Sequence, residues 1–102
     1  MSDMLGLEAI LSKSKEQMKL YDWSGVTESL SGALRLVPEH ENLKRGEVCE
    51  QLGHGFFRGA MQAGSVEEFK KLVRLSVESY EKAAEFCEKV QAVAGLYSRA
   101  MA

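Results

Sequence analysis

From Phe69 to Tyr97, apolar and small residues recur at alternating spacings of four and three: Phe69, Val73, Ser76, Tyr80, Ala83, Cys87, Val90, Ala94 and Tyr97. That spacing puts them on one side of an α-helix, whereas a strand would scatter them over both faces. Leu72, Val77, Ala84 and Phe86 widen the stripe. A long helix with an apolar side has to lie against other elements, so the pattern demands a packed fold with helical partners. Ser65-Val66-Glu67-Glu68 spells a capping box at the start of this helix. Gly64, just before it, is expected to end the preceding helix as a left-handed cap. The helix is expected to reach Arg99, with Gly95 as its weak point.

Three more helices precede it, and no segment alternates in the manner of a strand. The first is expected from about Asp3 to Leu20, capped by Ser2 or Asp3, with Leu7, Ile10, Leu11, Ser14 and Met18 on its inner face. Tyr21-Asp22-Trp23-Ser24 reads as a tight turn. The second helix carries Val26, Leu30, Ala33, Leu34 and Val37, and stops before Pro38, the only proline. The third is expected from Glu39 or His40 to about Ala63, with Glu39 and Glu41 at its positive end. It holds Gly46, Gly53, Gly55 and Gly59. Each glycine costs about 1 kcal/mol relative to alanine in a helix interior. Four of them predict that a neighbouring helix comes unusually close.

The 102 residues make one ordinary domain, long enough to bury a core without disulfides or metal. A net charge of −2 gives no steer toward nucleic acid or an anionic membrane. No run of residues approaches the ~20 apolar residues of a membrane span, and the start lacks the basic and apolar regions of a secretory signal. Cys49 and Cys87 are too few for a disulfide framework and sit in apolar periodic segments, so both are read as reduced, packed thiols of an intracellular protein.

Catalytic and metal chemistry find no foothold. Cys49 and His54 are five residues apart, which on a helix points them about 140° apart and gives the thiol no base. The two cysteines and two histidines lack zinc-ligand spacing. The glycine-rich Gly53-His54-Gly55 and Gly55-Phe56-Phe57-Arg58-Gly59 follow no strand and carry no phosphate-loop lysine, so close packing explains them. Arg58, Lys70, Lys71 and Arg74, with Glu67 and Glu68 among them, read as a solvated face. Phe56 and Phe57 are adjacent, so both cannot face one core. If Phe56 packs inward, Phe57 is left at an edge or in the concave groove, either as a contact for a neighbouring helix or repeat or as a candidate binding anchor. No enzyme activity, cofactor or metal is expected.

Cys49-Glu50-Gln51-Leu52-Gly53-His54-Gly55-Phe56 resembles the first helix of a tetratricopeptide repeat (TPR) unit, with Cys49 in the usual tryptophan place. Tyr80-Glu81-Lys82-Ala83-Ala84-Glu85-Phe86 resembles the second helix. Asp22-Trp23, Leu30, Ala33-Leu34 and Pro38 resemble the turn, packing positions and closing proline of another unit. The resemblance covers about residues 7 to 90. Two features depart from it: the long Gly64–Tyr80 segment, and Ser14-Lys15 where the family has Leu-Gly. It implies a single domain over 1–102, with a first hairpin at about 7–38, a second at 39–90 and a helical extension at 91–102. The hairpins would be antiparallel and stacked as a right-handed superhelix. A plain antiparallel four-helix bundle uses the same stripes.

In TPR proteins the first helix of each pair lines a concave groove. By position, the resemblance implies a groove of Ser12, Glu16 and Lys19 with Glu47, Glu50, His54, Phe57 and Arg58. The residues with which some members clamp a peptide carboxylate are absent, with Glu50 and His54 in their places. A mixed groove of this kind suits a peptide or helix carrying apolar and basic groups. The expected function is therefore protein binding. The alternative is self-association through the last helix, whose apolar residues Val90, Val93, Leu96, Tyr97 and Met101 leave no polar outer face for a terminal repeat.

Overall fold

The computed structural model describes the backbone of residues 2–101 and the side chains of residues 6–92. It consists of four α-helices: α1 (Ser2–Lys19), α2 (Trp23–Leu36), α3 (Asn42–Met61) and α4 (Val66–Met101), with no strand among the described residues. Helices pack in chain order, α1 on α2, α2 on α3 and α3 on α4; α1 and α4 do not meet through their backbones. Each neighbouring pair is antiparallel. Gly6 lies by Leu36 and Gly25 by Gln17; Gly55 lies by Val26 and Gly59 by Trp23; Gly46 lies by Phe86 and Gly53 by Tyr80. The result is a flat array of 55 × 32 × 19 Å. Its long dimension matches α4, since 36 residues at 1.5 Å each span about 54 Å.

The core is centred on α2. Trp23, Val26, Leu30 and Ala33, spaced three, four and three apart, are buried along its whole length. Leu7 from α1, Val37 from the link, and Val48 and Leu52 from α3 complete the cluster, with Ile10, Leu11, Met18 and Phe56 packed at its margin. Burying each large aliphatic side chain contributes about 1.5–3 kcal/mol.

The α1–α2 turn is tighter than the expected four residues. The Tyr21 amide donates to the Met18 carbonyl and the Asp22 amide to the Gln17 carbonyl. This is the paired pattern of a Schellman ending. It puts Tyr21 at φ 59, in the left-handed region. Asp22 then accepts from the Gly25 amide as the α2 N-cap, and Trp23 is the first residue of α2 instead of part of the turn.

Three expectations for α3 change. It starts at Asn42, because Pro38–Glu41 closes into a turn of its own, with the Glu41 amide donating to the Pro38 carbonyl. Glu39 and Glu41 therefore precede the helix. Arg45 reaches back to donate to the Val37 and Pro38 carbonyls and ties the link down. At the other end, Gly64 is not left-handed. The helix tightens instead: the Gln62 and Ala63 amides donate to the Gly59 and Ala60 carbonyls. Ser65 and Glu68 do cap α4. The Glu68 amide donates to the Ser65 hydroxyl, and the Glu68 carboxylate accepts from the Gly64 amide.

The close approach expected from the α3 glycines is present at the seams. A Cβ on Gly53 would come 2.8 Å from the Tyr80 ring, and one on Gly55 would come 3.0 Å from Thr27 Cγ2. Facing Gly46 and Gly53, α4 presents small residues, the buried Ser76, Ser79 and Ala83. This rotates α4 relative to the expected stripe. Phe69, Tyr80 and Cys87, expected inside, are exposed, because the narrow side of α4 seats deeper against the α3 glycines than its bulky side would.

The side chains of Ser2, Asp3, Val93, Leu96, Tyr97 and Met101, to which capping and self-association were assigned, lie outside the described residues. No helix among the described residues is long and apolar enough to cross a membrane.

Candidate functional site

On α3 the buried positions are Gly46, Val48, Cys49, Leu52, Gly53, Gly55 and Ala60, so the helix turns Glu47, Glu50 and His54 outward. Spacings of three and four keep these three on one face. On α1, Lys15 and Met18 are one turn apart and border the same space. From the opposite side comes Tyr80, whose ring lies over Gly53. Together with Gln51, these residues line a groove of about 480 Å³.

The electrostatics are mixed. Glu47 lies 3.8 Å from Lys44, a partly exposed pair. Glu50 has no ion-pair partner within the chain among the described residues and carries its charge into the groove. Met18 and Tyr80 give apolar walls. The His54 ring meets Trp23 edge-on, with centroids 5.5 Å apart and planes at 87°, so its orientation is set by a buried residue of the core.

Of the residues named by position in the sequence, Glu47, Glu50 and His54 come together in the groove, and five do not; Ser12 is exposed and outside the lining. Glu16 and Lys19 pair with each other at 3.2 Å, outside the groove lining. Arg58 folds back over the Trp23 ring, 5.2 Å from its centroid. Phe57 is 45% exposed while Phe56 packs on the core, as their adjacency requires, but Phe57 does not line the groove. Lys15, Met18, Gln51 and Tyr80 were missed. Lys15 and Met18 differ from Glu16 and Lys19 by one position, a turn of about 100° around the helix.

A second hollow of about 540 Å³ lies where the α2–α3 link meets α4, between His40, Leu43, Lys89 and Val90. It adjoins the part of α4 whose side chains are not described.

Cys49 is 1% exposed, and burial pushes its thiol above the ordinary value, with Lys82 and Arg45 pulling the other way. At neutral pH it is a protonated core residue beneath the helix face that carries His54. No cluster of three potential metal-ligating side chains occurs among the described residues.

Comparison with protein-family models, with curated proteins and with solved structures finds no match.

Proposed function

We propose that this domain is a non-catalytic protein-interaction module with a TPR-like arrangement, and that it takes a peptide or helical segment of a partner protein into the α1–α3–α4 groove. The carrying observation is the convergence of Glu50 and His54 with Met18 and Tyr80 in one concavity. A carboxylate without an internal partner, set between two apolar walls, favours a ligand that alternates basic and apolar side chains, as one face of an amphipathic helix does. The TPR-like reading draws support from the packing in chain order and from the Gly53–Tyr80 contact, made by two positions of the family pattern. A reduced intracellular setting suits the two free thiols.

Fluorescence anisotropy against a panel of labelled helical peptides tests this reading. Basic amphipathic peptides should bind and acidic ones of equal hydrophobicity should not. Glu50→Lys should weaken binding about tenfold or more, the scale of removing one desolvated charge contact. Equal binding of both peptide classes, or indifference to Glu50→Lys, would remove the groove from consideration.

A further inference from the structure

The rotation of α4 leaves a second apolar stripe uncovered. Val66, Phe69, Val73, Val77 and Tyr80 fall within about 80° of one another on the helix, roughly 100° away from the face that meets α3. Val66 is 68% exposed, Val77 50%, and Phe69 and Tyr80 each 42%. The antiparallel register, with Gly53 at Tyr80 and Gly59 at Leu72, brings the exposed Phe57 and Met61 of α3 to the same side. An apolar face of this length on a soluble chain marks an interaction surface.

The charges beside the stripe say what covers it. On the edge away from α3, Lys70 and Arg74 border its N-terminal half behind Glu67 at the helix start, and Glu81, Glu85 and Glu88 border its C-terminal half. All six are exposed, and none is ion-paired within the chain among the described residues. From Lys70 onward the edge therefore runs from positive to negative along the helix and is complementary to itself when reversed. We propose that α4 forms an antiparallel homodimer through this stripe, with the two-fold axis at the level of Glu78 and Ser79.

In that arrangement Lys70 of one copy lies opposite Glu88 of the other. Val77 covers Tyr80, and Val73 covers Ala84. The two-fold keeps the charged edges of both copies on the same side of the interface, as an isologous contact requires. A parallel pair would put like charges at the same level and give none of them a partner. This surface shares Tyr80 with the peptide groove, so pairing and peptide binding compete for that side chain, and Val77, outside the groove lining, is the position that tests pairing alone.

Sedimentation equilibrium should find a concentration-dependent dimer that weakens as salt screens the charged edges. Val77→Glu, at a half-exposed position, should raise the dimer dissociation constant about thirtyfold or more while leaving helical circular dichroism intact. Lys70→Glu/Arg74→Glu and Glu81→Lys/Glu88→Lys should each be largely monomeric, and mixing them in equal amounts should restore pairing. Disulfide trapping fixes the orientation. Antiparallel packing holds the two Cys87 residues about 25 Å apart, too far to bridge, whereas Phe69→Cys should link to Cys87 of the second copy. Cys49 is buried and does not interfere. A monomer at every concentration, a dimer indifferent to Val77→Glu, or a wild-type Cys87–Cys87 link would each overturn the proposal.

Discussion

The Ser76 hydroxyl donates a 2.7 Å hydrogen bond to the Gly53 carbonyl, buried in the α3–α4 seam. The same glycine lies under the Tyr80 ring. Two helices come this close only because one of them lacks a side chain at that point.

Alanine at two glycines should therefore act in opposite directions. Gly53→Ala should lower stability by about 1 kcal/mol, the overpacking against Tyr80 exceeding the gain in helix propensity. Gly32, within α2, has nothing within 4 Å of where its Cβ would sit. Gly32→Ala should raise stability by about 0.5–1 kcal/mol. Urea midpoints measure both, and a rise for Gly53→Ala would show that the seam has room.

Tyr21 holds a left-handed conformation that costs a residue with a Cβ about 1–2 kcal/mol. Its side chain is 64% exposed, so replacing it sacrifices little packing. Tyr21→Gly should stabilise the domain by about 0.5–1 kcal/mol, the backbone relief being partly offset by the greater freedom of glycine in the unfolded chain. Thermal unfolding decides this, and a lower melting temperature would mean that Tyr21 makes contacts its exposure does not suggest.

The two thiols should behave differently. In dilute native protein the exposed Cys87 should be labelled by iodoacetamide without unfolding, and the buried Cys49 only as fast as the domain opens. Burial raises the Cys49 thiol, so its contribution to stability is complete below the ordinary thiol value and is lost as pH rises through the folded value. Stability should accordingly decline on the alkaline side, and decline less in Cys49→Ala. Equal labelling of both cysteines in the native state would contradict the burial of Cys49.

The helix count, the stop before Pro38 and the capping of α4 by Ser65 and Glu68 are local matters, and local residues report them. So is the division between Phe56 and Phe57. The phase of α4 is not local. Ser76 and Ala83 satisfy the same spacing rule as Phe69 and Tyr80, and only the α3 glycines opposite decide which set is buried. The groove divides in the same way. Glu47, Glu50 and His54 follow from the polar side of α3, but the α1 contribution depends on how α1 is rotated about its own axis. One position separates Lys15 and Met18 from Glu16 and Lys19. The ending of α3 departs from its glycine signal because Gln62 and Ala63 satisfy the last carbonyls before Gly64 is reached.

The groove itself is tested most directly by amide chemical-shift mapping during titration with a basic amphipathic helical peptide. Saturable shifts should gather at Lys15, Met18, Glu50, His54 and Tyr80, and Glu50→Lys should suppress them. Shifts confined to other faces, or none with any basic amphipathic peptide, would contradict the assignment of this groove as the site where a partner binds.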